Sequence, residues 1–166
     1  MMKRYIDCDG VILNTEVGLF DEYYRLKEHN PELKRLRYLQ QLDWNYWINQ
    51  AQVLGVAVNI LKSHDPSMAD ILTKVHSLEE ACVKIKYFRT LGVKNNIVIV
   101  PFEVSKSSVV SAKGNILVDD SNSNLVDWDE FEGYPIHYGT KDSPYPSIET
   151  LEDVFDEEKV KKLILK

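Results

Sequence analysis

Cysteine is scarce in this chain of 166 residues: Cys8 and Cys82 are the only two, too few for a disulfide framework. Free thiols in a reducing compartment are the simplest expectation. Basic residues are also in short supply. Lys and Arg number 20 against 26 Asp and Glu, a net charge of −6, which argues against a generic binder of nucleic-acid polymers or anionic membranes. No apolar run reaches bilayer length, and the opening MMKRYIDCDG lacks the apolar core of a signal peptide. A cytoplasmic protein is expected on both counts. Repeats and low-complexity tracts are absent too. What remains is 44% hydrophobic and 28% charged, the balance of a globular domain long enough to bury a real core.

The chain is organised around YIDCDGVILNT, residues 5–15. If residues 5–9 are a strand, Asp7 and Asp9 share one face and Cys8 points to the other. Two carboxylates on one face repel and are costly to desolvate unless a cation or proton intervenes. Their place, where an apolar strand gives way to Gly10, suits a site at the carboxyl end of a parallel strand.

Beyond Leu13 the texture changes. Apolar residues at Val17, Phe20 and Tyr24, and at Leu19, Tyr23 and Leu26, fall at helical spacing. Asn30–Pro31 breaks that pattern, and Leu33, Leu36, Leu39 and Leu42 start another. A third helix is expected over residues 44–62, with Gly55 as its weak point. Residues 14–66 therefore read as a helical insertion. From Ser67 onward strands and helices alternate. Residues 68–73 (MADILT), 96–101 (NIVIVP), 115–118 (NILV) and 134–138 are strand candidates. Ser77-Leu78-Glu79-Glu80 opens a helix with a capping box, and Gly92 is placed to close it. Further helices are expected over residues 123–131, 148–155 and 157–165. The fold expected is α/β: a Rossmann-like parallel sheet with helices on both faces, carried by residues 1–13 and 67–166.

Four strands in this reading end in chemically useful residues: Asp7 and Asp9, Thr73, Lys106 shortly after the third, and Asp119 with Asp120. Carboxyl ends of parallel strands share one edge, where ligands bind. Carboxylates can hold Mg²⁺, one Asp can serve as a nucleophile, and a second can protonate a leaving oxygen and then activate water. A hydroxyl and an ammonium can steady a transferring phosphoryl group. Lys113 is a second lysine in the same stretch and competes with Lys106 for that part.

Asp7-Cys8-Asp9-Gly10-Val11 resembles the first motif, DxDG[VT], of the haloacid dehalogenase (HAD) superfamily of Mg²⁺-dependent phosphatases. Ile71-Leu72-Thr73 looks like the second motif, Lys106 like the third, and ILVDDSNSN at residues 116–124 like an acidic fourth. Within the superfamily, Val-Pro-Phe before Ser105-Lys106 and the DDxxxN run followed by Trp128 are most similar to the 5′(3′)-deoxyribonucleotidase-like members. The resemblance implies a HAD-like core, with residues 14–66 as its small helical cap. It implies Asp7 as nucleophile and metal ligand, and Asp9 as general acid and base that lends its carbonyl to the metal. Thr73 and Lys106 would contact phosphate, and Asp120 with Asp119 would complete the Mg²⁺ site. Phe20, Tyr23, Tyr24, Trp44, Tyr46 and Trp47 of the insertion could stack on a nucleobase; the competing expectation is that they form the insertion's own small core, with Phe20 and Trp47 the candidates to do both. The partner expected is a small phosphorylated molecule, foremost a nucleoside monophosphate; sugar phosphates, other small esters and a non-catalytic phospho-ligand binder are the alternatives. A phosphoacceptor receiver domain shares the ingredients, but there the second acidic group does not follow the lysine. Oligomeric state is left open.

Overall fold

A computed structural model describes residues 2–16, 18–140 and 142–165; Val17, part of the first helical spacing, lies outside the described residues. In chain order the elements begin β1 (Arg4–Ile6), β2 (Leu13–Asn14), α1 (Leu19–His29), α2 (Arg35–Gln40), α3 (Trp44–Gln50), β3 (Gln52–Val53) and α4 (Ala57–Ser63). They continue β4 (Ala69–Val75), α5 (Leu78–Thr90), β5 (Ile97–Pro101), α6 (Lys106–Val109), β6 (Ile116–Asp119), α7 (Asn122–Glu130), β7 (Tyr134–Tyr138), β8 (Ser147–Ile148) and α8 (Glu157–Ile164). Six strands form one sheet in the order β5-β4-β1-β6-β7-β8, every neighbouring pair parallel. The expected α/β class with a parallel sheet is what the chain adopts.

Side-chain alternation builds two cores from the same strands. Ile6, Ile71, Ile116 and Val118 pack on one face with Phe88 of α5, with α4 and with Val160 of α8. Tyr5, Leu72 and Leu117 point the other way, against Leu125 and Trp128 of α7. Asp7 continues the parity of Tyr5, and Asp119 that of Leu117. Ile6 is in register with Val118, and the Asp7 N–H donates to the Val118 carbonyl at 2.9 Å. Strand pairing alone thus sets Asp7 beside Asp119.

The helical insertion differs from the expectation in three respects. The span 44–62 is not one helix: α3 stops at Gln50, β3 pairs antiparallel with β2, and α4 follows. The two crossings between insertion and sheet thus run side by side, and Gly55 takes a left-handed φ of +52° between β3 and α4. Leu19, Tyr23, Tyr38, Leu39, Leu42, Trp44 and Ile48 form a core of their own, whereas Ala57, Val58, Ile60 and Leu61 of α4 belong to the sheet's core. At the other end of the chain, residues 148–155 do not form an α-helix; β8 takes Ile148, and a single 3₁₀ turn spans Leu151–Val154.

Helix α5 follows its local signals. The Ser77 hydroxyl accepts the Glu80 N–H at 3.1 Å, and Gly92, at φ +79°, turns the chain after the last turn. Phe88, fully buried, anchors this helix to the sheet. Phe88→Ala should lower unfolding free energy by about 3–5 kcal/mol in denaturant titration, while Phe131→Ala, at an exposed position, should change it by less than about 0.5 kcal/mol. Similar small losses at both would contradict this packing.

Candidate active site

Lys106 is the centre of the site. It starts α6, just after β5, and its side chain is almost wholly buried. Its ammonium donates to Asp7 Oδ1 and to Asp119 Oδ2, both at 2.6 Å. An ammonium without water needs oxygen partners, and two carboxylates at this distance supply them. Asp119 is fixed further: the Ser121 N–H donates to its Oδ1 at 2.9 Å, and the Asn124 side-chain amide to its Oδ2 at 3.0 Å. Carboxylate oxygens of Asp7, Asp119 and Asp120 lie within 4.8 Å of one another. A hard divalent cation such as Mg²⁺ suits that donor set. Gly10 permits the cluster to close. Its φ is +78°, and a Cβ there would come within 2.2 Å of Asp120 Oδ2.

The alternation places Asp7 and Asp9 on one strand, but both lie beyond β1. β1 ends at Ile6, and a tight turn follows in which the Ile12 and Leu13 N–H groups both donate to the Cys8 carbonyl. The turn still points the Asp9 carboxylate at the cleft. Its Oδ1 accepts from the Thr15 hydroxyl at 2.7 Å, and its Oδ2 accepts from Lys84 Nζ at 2.6 Å. Thr73, at a buried position of β4, sits behind Asp9 with its hydroxyl 3.4 Å from Oδ2.

The electrostatics separate the two aspartates. Burial, with Asp119 and Asp9 adding repulsion, outweighs the Lys106 contact and pushes Asp7 up to about 8. Burial acts on Asp9 in the same direction, but there the charge and hydrogen bond of Lys84, with the Thr15 bond, prevail and hold it below its ordinary value. Both lysines lie above the usual range: burial opposes their charge, and the adjoining carboxylates overcome it.

Asp7, Asp9, Asp119 and Asp120 line a cleft of about 260 Å³ between the sheet edge and the insertion. Phe20 lines it as well, with the Arg35 guanidinium 4.1 Å above its ring. Trp47 does not. It lies over Gly18, edge-on to Tyr46, and faces a separate groove of the insertion. Trp44 takes the place at the cleft, its ring parallel to His76 at 5.9 Å, and His76 in turn meets Phe102 at 4.5 Å. Thr73 and Lys106 stay beneath the cleft floor. Lys113 is exposed and pairs with Glu132, so Lys106 alone of the two reaches the acids.

Glu80, Lys84 and Thr15 were missed from sequence. The signal was the stripe Ala81, Lys84, Phe88 on α5, where a lysine takes an i, i+3, i+7 position otherwise apolar and buried.

No family model and no curated protein matches the chain. Solved structures do. A HAD hydrolase of family IA, variant 3, from Entamoeba histolytica superposes over 100% of both chains at TM-score 0.64 and 14% identity. A HAD phosphatase from Thermococcus onnurineus covers 93% of this chain and 96% of its own at 0.60 and 14%. YfnB from Bacillus subtilis, a HAD-type protein in a magnesium-bound form, covers 93% and 96% at 0.61 and 11%. The fold is that of the HAD hydrolases. Among the described residues no helix is long and apolar enough to cross a membrane.

Asp7 supplies a pH test of metal binding. Its raised value means that the folded, metal-free protein holds a proton there, so its stability contribution is present at low pH and is lost as pH climbs through about 8. A divalent cation held by Asp7 would have to displace that proton. Calorimetric Mg²⁺ titrations should show affinity rising about tenfold per pH unit up to about 8 and then levelling, with proton release at pH 7. Affinity flat from pH 6 to 9 would contradict the assignment of Asp7 to the ion.

Proposed function

We propose that the protein is a Mg²⁺-dependent phosphomonoesterase working through an aspartyl-phosphate intermediate. The observation that carries this reading is the Lys106 ammonium held between Asp7 and Asp119 at the carboxyl ends of β1 and β6, beside Asp120. The likeness of fold to HAD hydrolases, a magnesium-bound one among them, agrees with it. Asp7, Asp120 and the Asp9 carbonyl would hold Mg²⁺, with Asp119 anchored beside them. When bound, the ion would offset phosphate charge.

The chain's own residues would do the rest. The Asp7 carboxylate attacks phosphorus and the ester P–O bond breaks, while Lys106 keeps Asp7 aimed and offsets charge. Asp9, protonated in the substrate complex although Lys84 and Thr15 favour its carboxylate, passes that proton to the leaving alkoxide, then as a carboxylate takes one from the water that cleaves the acyl phosphate. Phosphate leaves and Asp7 is restored. Thr73 is placed to steady Asp9 from behind. In this reading the insertion from Thr15 through α3 covers the site, while α4 belongs to the sheet's core, and the enzyme is cytoplasmic, its two cysteines free.

A nucleoside monophosphate, as in deoxyribonucleotidases, is the leading substrate class, because Phe20, Trp44, His76 and Phe102 give the cleft aromatic walls. A small sugar phosphate is the second reading. It is favoured by a cleft of about 260 Å³, below the roughly 300–1,000 Å³ usual for drug-sized ligands. Phosphate release from deoxynucleoside monophosphates and sugar phosphates, with and without Mg²⁺, tests both. The expected result is Mg²⁺-dependent turnover that Asp7→Asn lowers by roughly 10⁴-fold or more, with the best substrate naming the class. No turnover by a folded, Mg²⁺-binding protein on any ester would overturn the phosphatase reading.

A further inference from the structure

A second ammonium is buried in the same site, and the chemistry above leaves it without a task. Lys84, on α5, is 0% exposed. Its Nζ lies 2.6 Å from Asp9 Oδ2, 2.7 Å from Glu80 Oε1, 3.2 Å from the Lys74 carbonyl and 3.3 Å from Thr73 Oγ1. Glu80 is equally buried, and its other oxygen accepts from the His76 N–H at 2.7 Å and from His76 Nδ1 at 3.0 Å. The Trp44 ring, from the insertion, closes over Lys84 at 5.9 Å.

Stability is a poor reason for this arrangement. A buried ion pair seldom outdoes apolar residues of the same volume, because desolvation cancels most of the attraction. Geometry gives a better reason. The Asp9 side chain is 29% exposed, and the rest of it is gripped from two sides: Thr15 on one oxygen, Lys84 and Thr73 on the other. Glu80 offsets the charge that Lys84 brings and, through His76, ties it to the cleft wall.

We infer that Lys84, with Glu80 as its counter-charge, is a positioning residue that fixes the Asp9 carboxyl group, in the protonated form that donates, against the leaving oxygen of the substrate. This rests on the phosphomonoesterase reading and deepens it. Holding a proton-transfer group in its reactive geometry counts most where the leaving group most needs the proton. Loosening Asp9 therefore harms an alkyl phosphate, whose alkoxide leaves badly, more than an aryl phosphate, whose phenolate leaves unaided. The ratio kcat/KM reports the first half-reaction alone, so later use of Asp9 as a base does not blur the comparison.

The test compares kcat/KM for p-nitrophenyl phosphate and for a simple alkyl phosphate in the wild type, Lys84→Met, and the double variant Glu80→Gln with Lys84→Met. The double variant leaves no buried charge at residue 80 unpaired, which keeps the test usable if the single variant misfolds. The expected result is a loss at least about tenfold greater on the alkyl ester in a variant that melts normally. Equal losses on both esters, or no loss, would overturn the positioning role and leave the phosphatase reading standing. A wild type inactive on both esters would overturn the two together.

Discussion

One ammonium shared by two carboxylates governs the geometry of this molecule's active edge. Lys106 meets Asp7 from β1 and Asp119 from β6 at equal distances. Its side chain has no access to water that could take their place. Removing either acid would leave a buried charge poorly matched, a defect worth about 3–5 kcal/mol. The register of β1 on β6 and the short helix α6 after β5 are the means by which the fold brings the three together. The cost of assembling them is visible in Asp7, which burial and its acidic neighbours push up to about 8 despite the lysine. That is the electrostatic state of an acid cluster suited to a cation.

The same device recurs a few ångströms away with different ends. Lys84 lies between Asp9 and Glu80 as Lys106 lies between Asp7 and Asp119. The sheet edge therefore carries two clusters in which one lysine is shared by two acids, and in the first a proton on Asp7 makes up the missing positive charge. The first faces the acid group that could take a metal. The second faces the insertion, where Trp44, His76 and Phe102 form a continuous aromatic wall from α3 to the loop after β5. Asp9 and the cleft wall are thus joined through Lys84, Glu80 and His76, by contacts that all lie on or beside one helix.

Much of this was legible in the residues. Asp7, Asp119 and Asp120 were readable because acids that end apolar strands have few reasons to be there, and parallel strands bring such ends to one edge. Lys106 was readable only in company with them. Lys84 was not, because Glu80 has a sufficient local reason at N3 of a capping box, and an i, i+4 Glu–Lys pair usually means a solvated helix face. Here the reciprocal bond of that box goes to His76 rather than to Ser77, and the pair faces inward. Trp44 and Trp47 both have helical spacing within the insertion, and periodicity cannot say which one also borders the cleft from the insertion's core. The break between α3 and α4 was hidden for a similar reason. Pairing of β3 with β2 is a long-range contact that overrides local helical pattern.

The central claim is that Asp7 takes the phosphoryl group while Asp9 moves protons. Acid-quenching the protein during turnover, reducing any acyl phosphate with borohydride and mapping the altered residue by peptide mass spectrometry tests it directly. The account predicts conversion at Asp7 alone. Conversion at Asp9, or steady hydrolysis with no aspartate converted, would contradict it.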